Sequence, residues 1–263
     1  MLTKTEAIVL RSIKYGDTRI IVDLFTRHHG RVSFIVSMPR SAKARIKKQY
    51  FQPMTLLKVE FDLRPQANLQ KLHDASLLTP LSSLYGDAKK LALALFTAEF
   101  LCHALRDEQQ NEPLFSYIAS SIEWLDGSQA RFANFHLVFL IRLSRFLGFY
   151  PNIEERGEWR EERGERSHVL APASTRLQTD ELYFDLRSAT FCPAPPLHRD
   201  YLLPGEASHI RLLMRMDYAT MHLFRLSRVE RNRILQLLLH YYRLHLPDFP
   251  ELRSVQVLQE LFE

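Results

Sequence analysis

The first 77 residues break into five short segments of strand character, with no long helical stretch between them. Residues 4–13 alternate apolar and polar, and Ile8, Leu10 and Ile13 group on one side, as in a strand with one wet face. Gly16-Asp17 predicts a turn, because glycine adopts positive φ at little cost. Arg19–Thr26 is β-branched and apolar, and His28-His29-Gly30 turns the chain into a third alternating segment, Arg31–Val36. Residues 37–49 read as a loop, and residues 54–61 and 69–77 as a fourth and a fifth strand. A sheet this small exposes two edges unless it closes on itself. The count and spacing therefore predict a five-stranded OB-fold barrel over residues 1–80.

After Pro80 the apolar period changes from two to about 3.6. Helices are expected over residues 82–106, 113–126 and 129–149, the last stopped by Gly148 with Pro151 beyond. Residues 152–166 are dense in alternating Glu and Arg, and residues 152–180 read as an exposed insertion. Residues 182–204 hold Pro193, Pro195, Pro196 and Pro204 and read as irregular or β-rich. Helices resume at about 206–224, 227–245 and 252–262, and Ser227-Arg228-Val229-Glu230 has capping-box spacing. The expected fold class is α+β: a barrel, then a helical domain over residues 81–263 with an insertion at about 152–204.

Charge singles out one segment. Residues 1–50 hold eleven Lys or Arg against three acids, a net of +8, in a chain whose total is +5. Such a concentrated positive field captures polyanions. The loop from 37 to 48 carries Arg40, Lys43, Arg45, Lys47 and Lys48 without an acid. OB-folds bind nucleic acid on a sheet face and its flanking loops. The candidate DNA-binding set is therefore Arg11, Lys14, Tyr15, Arg19, Arg27, Arg31, Arg40, Lys43, Arg45, Lys47 and Lys48. A base stacked on an exposed ring gains about 1–3 kcal/mol. Tyr15 and Tyr50 suit that role better than Phe25 and Phe34, which belong in the barrel core. His28-His29 reads as an exposed polar turn.

Other chemistry is thinly supported. The sequence has no P-loop, no Gly-x-Gly-x-x-Gly, no Gly-x-Ser-x-Gly and no His-Glu-x-x-His, so no enzyme activity or cofactor is expected. Two cysteines, Cys102 and Cys192, exclude a disulfide framework and read as reduced thiols, with Cys102 in the core. No apolar run of membrane-spanning length and no signal-peptide pattern is present, so a cytoplasmic protein is expected.

Several stretches carry a family resemblance. Ala7-Ile8-Val9-Leu10-Arg11-Ser12-Ile13-Lys14-Tyr15-Gly16-Asp17-Thr18, Phe25-Thr26-Arg27-His28-His29-Gly30-Arg31 and Phe51-Gln52-Pro53 resemble RecO, the bacterial recombination mediator family. Leu147-Gly148-Phe149-Tyr150-Pro151 is similar to the family's second landmark. The resemblance covers roughly residues 1–150 and 182–263. It implies binding of single- and double-stranded DNA and annealing of complementary strands. It also implies loading of RecA onto DNA covered by single-strand-binding protein, with RecR as partner, and a place at the nucleoid during repair.

In the resemblance, Arg131, Arg142 and Arg145 become candidates to receive the acidic, apolar C-terminal tail of single-strand-binding protein. Many RecO proteins carry a four-cysteine zinc module after the Gly-Phe-x-Pro landmark. Here that place holds the charged insertion and a lone Cys192, so a form without zinc is expected. Packing by Phe184, Leu186 and Phe191 would then replace the metal. Two rival readings are a protein-tail adaptor whose basic loop is incidental and a nucleic-acid-processing enzyme with a cryptic site.

Overall fold

The computed structural model describes residues 2–37, 46–64, 66–106, 109–129, 131–152 and 181–261. The loop residues Arg40, Lys43 and Arg45 and most of the charged insertion, 153–180, lie outside them. Five strands, β1 (Leu2–Tyr15), β2 (Arg19–Thr26), β3 (Gly30–Ser37), β4 (Leu56–Asp62) and β5 (Gln70–Leu77), close into a barrel. Its order is β1-β2-β3-β5-β4, with β4 returning to β1 and a short parallel contact between β3 and β5. Alternation sends Ala7, Val9, Val22, Leu24, Phe34, Val36, Val59 and Phe61 inward, and Phe34 meets Phe61 edge to face at 4.9 Å.

The outer face of the same strands docks on helices. Ile8, Leu10, Phe25, Met54 and Leu56 share one apolar core with α2 (Ala88–Ala104), α3 (Glu112–Gly127) and α4 (Phe135–Phe146). Phe25 is buried as expected, but outside the barrel, 6.1 Å from Phe115. Both faces of β1 are apolar over residues 7–10 because one lines the barrel and the other meets the helices, and its register slips between Val9 and Arg11, a β-bulge.

The expected helix over 82–106 is two helices, α1 (Ser82–Gly86) and α2. Asp87 starts the second by accepting from the Lys89 and Lys90 amides. The helix expected from 129 begins only at Phe135, because Arg131 sits at φ +67° and Asn134 is the cap residue. At its other end Gly148 takes φ +87° and the Phe149 amide donates to the Ser144 carbonyl, the Schellman arrangement.

A three-stranded sheet follows: β6 (Tyr183–Asp185), β7 (Thr190–Cys192) and β8 (Tyr201–Leu202), in the order β7-β6-β8. The helix expected over 206–224 ends early, as α5 (Pro204–Arg215) and a separate 3-10 turn at Met221–Leu223. α6 (Arg228–His245) opens with both bonds of the Ser227/Glu230 capping box, and α7 (Ser254–Leu261) closes the fold. Glu99 of α2 accepts from the Arg253 and Ser254 amides, which fastens the start of α7. Among the described residues no helix is long and apolar enough to cross a membrane.

Candidate nucleic-acid interface

The β1–β2 hairpin runs past the body of the barrel, and Arg11 through Arg19 are all exposed. Gly16 turns it at φ +68°. Tyr15 pairs with Arg19 across the hairpin, and the Arg19 guanidinium lies 5.8 Å from the Tyr15 ring centroid. Arg19 in turn pairs with Ser37, the last residue of β3 before the basic loop. The loop therefore leaves the barrel beside the hairpin tip. The chain returns with Ile46 and Tyr50 packed against the barrel core and Lys47 and Lys48 exposed between them. Lys14, Arg19, Lys47 and Lys48 thus all present charge to solvent. Of the two tyrosines, Tyr15 is exposed and Tyr50 is half-buried.

Three other arginines of the candidate set have internal partners. Asp23 is buried and receives Arg11 Nε at 2.6 Å, Arg31 Nη2 at 2.9 Å and Ser33 Oγ at 2.5 Å. Burial pushes its carboxyl up, but the bonds from Ser33, Arg31 and Arg11 outweigh that and hold it below the usual carboxylate range. Arg11 keeps 49% of its side chain in solvent, whereas Arg31 keeps 14%. Arg31 also donates to the Cys102 carbonyl in the last turn of α2 at 2.6 Å. Arg27 bonds Glu6 at 2.9 Å and Ser116 of α3 at 3.2 Å, and lies 4.7 Å above the Phe115 ring. Arg27 and Arg31 therefore join the barrel to the helices. His28 lies 3.8 Å from Glu112, and His29 is held below its ordinary pKa by burial and by His28.

Another exposed cation of the outer face stands beside β3. Lys71 pairs with Ile35 through the parallel β3–β5 contact, a neighbourhood that only the closed barrel creates. The alternation of β5, with Lys71 and His73 exposed between buried Gln70 and Leu72, was the one local sign that it points outward.

Known proteins decide the family. The family description Recombination protein O N terminal matches residues 1–81, and Recombination protein O C terminal matches residues 85–254. The chain belongs to the RecO family. It is 49% identical over 262 residues to the DNA repair protein RecO of Phocaeicola vulgatus and 47% identical over 264 residues to that of Bacteroides fragilis. It is 32% identical over 267 residues to that of Porphyromonas gingivalis. Each match spans the full length of both chains. Membership of RecO is membership of a DNA repair and recombination family.

A four-cysteine zinc module needs more cysteines than the two this chain has. Among the described residues no group of three His, Cys, Asp or Glu is placed to hold a metal. Cys192 sits in β7, and His198 lies 3.3 Å from Asp185. The region closes by packing: Phe184 and Phe191 meet at 4.8 Å, and both are buried with Leu186.

The helical arginines of this RecO chain separate into different settings. Arg142 gives Nε and Nη2 to the Met216 carbonyl, at 3.2 and 2.9 Å, which ties α4 to the end of α5. Arg145 is exposed and stacks 4.5 Å over Tyr150, and Arg131 is exposed ahead of α4.

Proposed function

We propose that this chain is a DNA repair and recombination mediator that binds single- and double-stranded DNA and anneals complementary strands without catalytic turnover. In the same reading it helps load RecA onto DNA covered by single-strand-binding protein, with RecR as partner. The observation that carries the DNA reading is the set of exposed cations, Lys14 and Arg19 on the hairpin that carries the exposed Tyr15, and Lys47 and Lys48 where the chain returns to the barrel. Cations at that place neutralise phosphates and release counterions. Two neutralised strands held on one protein meet at high local concentration, which is a proximity effect rather than bond chemistry. Arg131 and Arg145 are offered for the acidic tail of single-strand-binding protein, and Arg142, with its firm internal bonds, is the weaker candidate.

The test is a fluorescence titration of a labelled single strand at several salt concentrations, followed by addition of its complement. Tight binding with a log-log slope of about −3.5, the value for five neutralised phosphates, and faster annealing are expected. Replacing Lys14 and Arg19 together by Ala is expected to shrink that slope by about 1.4 and to leave the fold intact. Weak binding that ignores salt, with no annealing, rejects the DNA reading and favours the adaptor.

A further inference from the structure

The outer face of the barrel carries an apolar row that neither core uses. Ile13 of β1 pairs with Ile21 of β2, Ile21 pairs with Ile35 of β3, and Ile35 pairs with Lys71 of β5. Directly paired residues project from the same face of a sheet, so the three isoleucines form one line that ends in a lysine. Ile13 is 47% exposed, and Ile21 and Ile35 are half-buried. None of the three belongs to the barrel core or to the helical core. Their chain neighbours Ile20, Val22, Phe34 and Val36 already fill the barrel. A contiguous apolar row in contact with water marks a binding surface more often than a folding need.

The setting of the row points to its occupant. One row nearer the hairpin tip, about 7 Å away along the strands, stand Tyr15, Arg19 and Ser37. On the other side stand Arg11, Asp23 and Ser33. The Asp23 carboxylate in that row is matched by Arg11 and Arg31. Cations thus flank an aliphatic strip on three sides, at Arg19, Arg11 and Lys71. A duplex presents phosphates to such a surface but keeps its base faces stacked inside. A single strand presents phosphates and bare base faces together. Resting on the DNA-binding reading above, we propose that Ile13, Ile21 and Ile35 form an aliphatic rest for unpaired bases and give this site its preference for single strands. An aliphatic rest grips bases less firmly than an aromatic platform, for which each stacked base is worth about 1–3 kcal/mol. A complementary strand can therefore take the bases away, as annealing requires.

The test compares the wild-type chain with Ile13→Ser/Ile21→Thr/Ile35→Thr, which keeps β-branching at two of the three positions. Labelled oligothymidine and a blunt duplex are titrated at several salt concentrations, with thermal melting as the check on folding. The expected result is a three- to tenfold loss of single-strand affinity with the salt slope unchanged and duplex affinity within twofold. Ile13→Tyr, at the most exposed position of the row, is the second variant. It is expected to tighten single-strand binding and slow annealing. Equal loss on both nucleic acids, no loss on either, or a change in oligomeric state instead overturns the aliphatic rest. If the wild-type chain binds neither nucleic acid, the DNA-binding reading itself fails. If it binds both and the two variants change nothing, only the role of the isoleucines fails.

Discussion

Arg31→Met separates a folding role from a DNA-binding role at one residue. The Arg31 guanidinium donates to Asp23 Oδ2 at 2.9 Å and to the Cys102 carbonyl at 2.6 Å, and its side chain is 14% exposed. Each hydrogen bond to a charged group contributes roughly 1.5–3 kcal/mol. Methionine keeps the apolar stem and loses both bonds. Asp23 retains Arg11 and Ser33, so the loss is smaller than for a fully orphaned buried carboxylate. The two bonds together give a destabilisation of about 3 kcal/mol. In a chain of this size that lowers the melting temperature by roughly 6–12 °C. The assay is thermal unfolding by circular dichroism beside single-strand titration at a temperature where the variant is folded. Melting is expected to fall by that amount, while affinity stays within twofold and the salt slope is unchanged. An unchanged melting temperature with tenfold weaker DNA binding would refute the reasoning and return Arg31 to the DNA surface.

Two further predictions concern buried polar groups. Lys90 is 2% exposed, and its Nζ donates to Ser83 Oγ and to the Asp126 and Ser128 carbonyls at 2.7, 2.7 and 2.5 Å. Lys90→Met leaves those carbonyls at the end of α3 without their donor and is expected to cost about 3 kcal/mol, read as a lower melting temperature with DNA affinity unchanged; no shift in melting would discard that role. His136 is buried and neutral, with its pKa pushed down to about 3 by burial. The unfolded imidazole takes up a proton below about 6.5 and the folded one does not, so its contribution is intact above that value and is lost as pH falls. Between pH 7 and pH 5 the loss is about 2 kcal/mol. His136→Phe is expected to flatten the melting temperature across that window, and an equally steep pH dependence in the variant would reject the assignment.

The strands were legible because a half-buried strand writes its face into the sequence at period two, and all five came through with boundaries within about two residues. The helical region was legible in type but not in its breaks. Asp87 caps α2 and Asn134 precedes α4 inside apolar patterns that continue on both sides of them, so the period alone does not mark the breaks. The left-handed backbone at Arg131 left no mark in the residue type. At the candidate site, exposure of the β1–β2 hairpin followed from its polar content. The partners of Arg27 and Arg31 did not, because Ser116 and Cys102 lie 89 and 71 residues away along the chain. A charge count weighs all eleven bases alike, whereas burial decides which of them meets solvent.

The bulge in β1 explains how one strand serves two purposes. Before it, Ala7 and Val9 point into the barrel, while Ile8 and Leu10 point to the helices. Uninterrupted alternation would send Arg11, Ile13 and Tyr15 inward after Val9. The register slip between Val9 and Arg11 turns these three onto the outer face and Ser12 onto the other. It also accounts for the odd grouping of Ile8, Leu10 and Ile13 on one side, since strict alternation separates 10 from 13. Arg11 consequently lands opposite Asp23, where it helps neutralise a buried acid beside the candidate DNA surface. One end of the barrel is fixed to the helices by Arg27 and Arg31, and the strand beyond the bulge is free to carry Ile13, Tyr15 and the cations around them. A basic face built this way stays rigid at its root, so the exposed hairpin can present charge without a separate element to hold it.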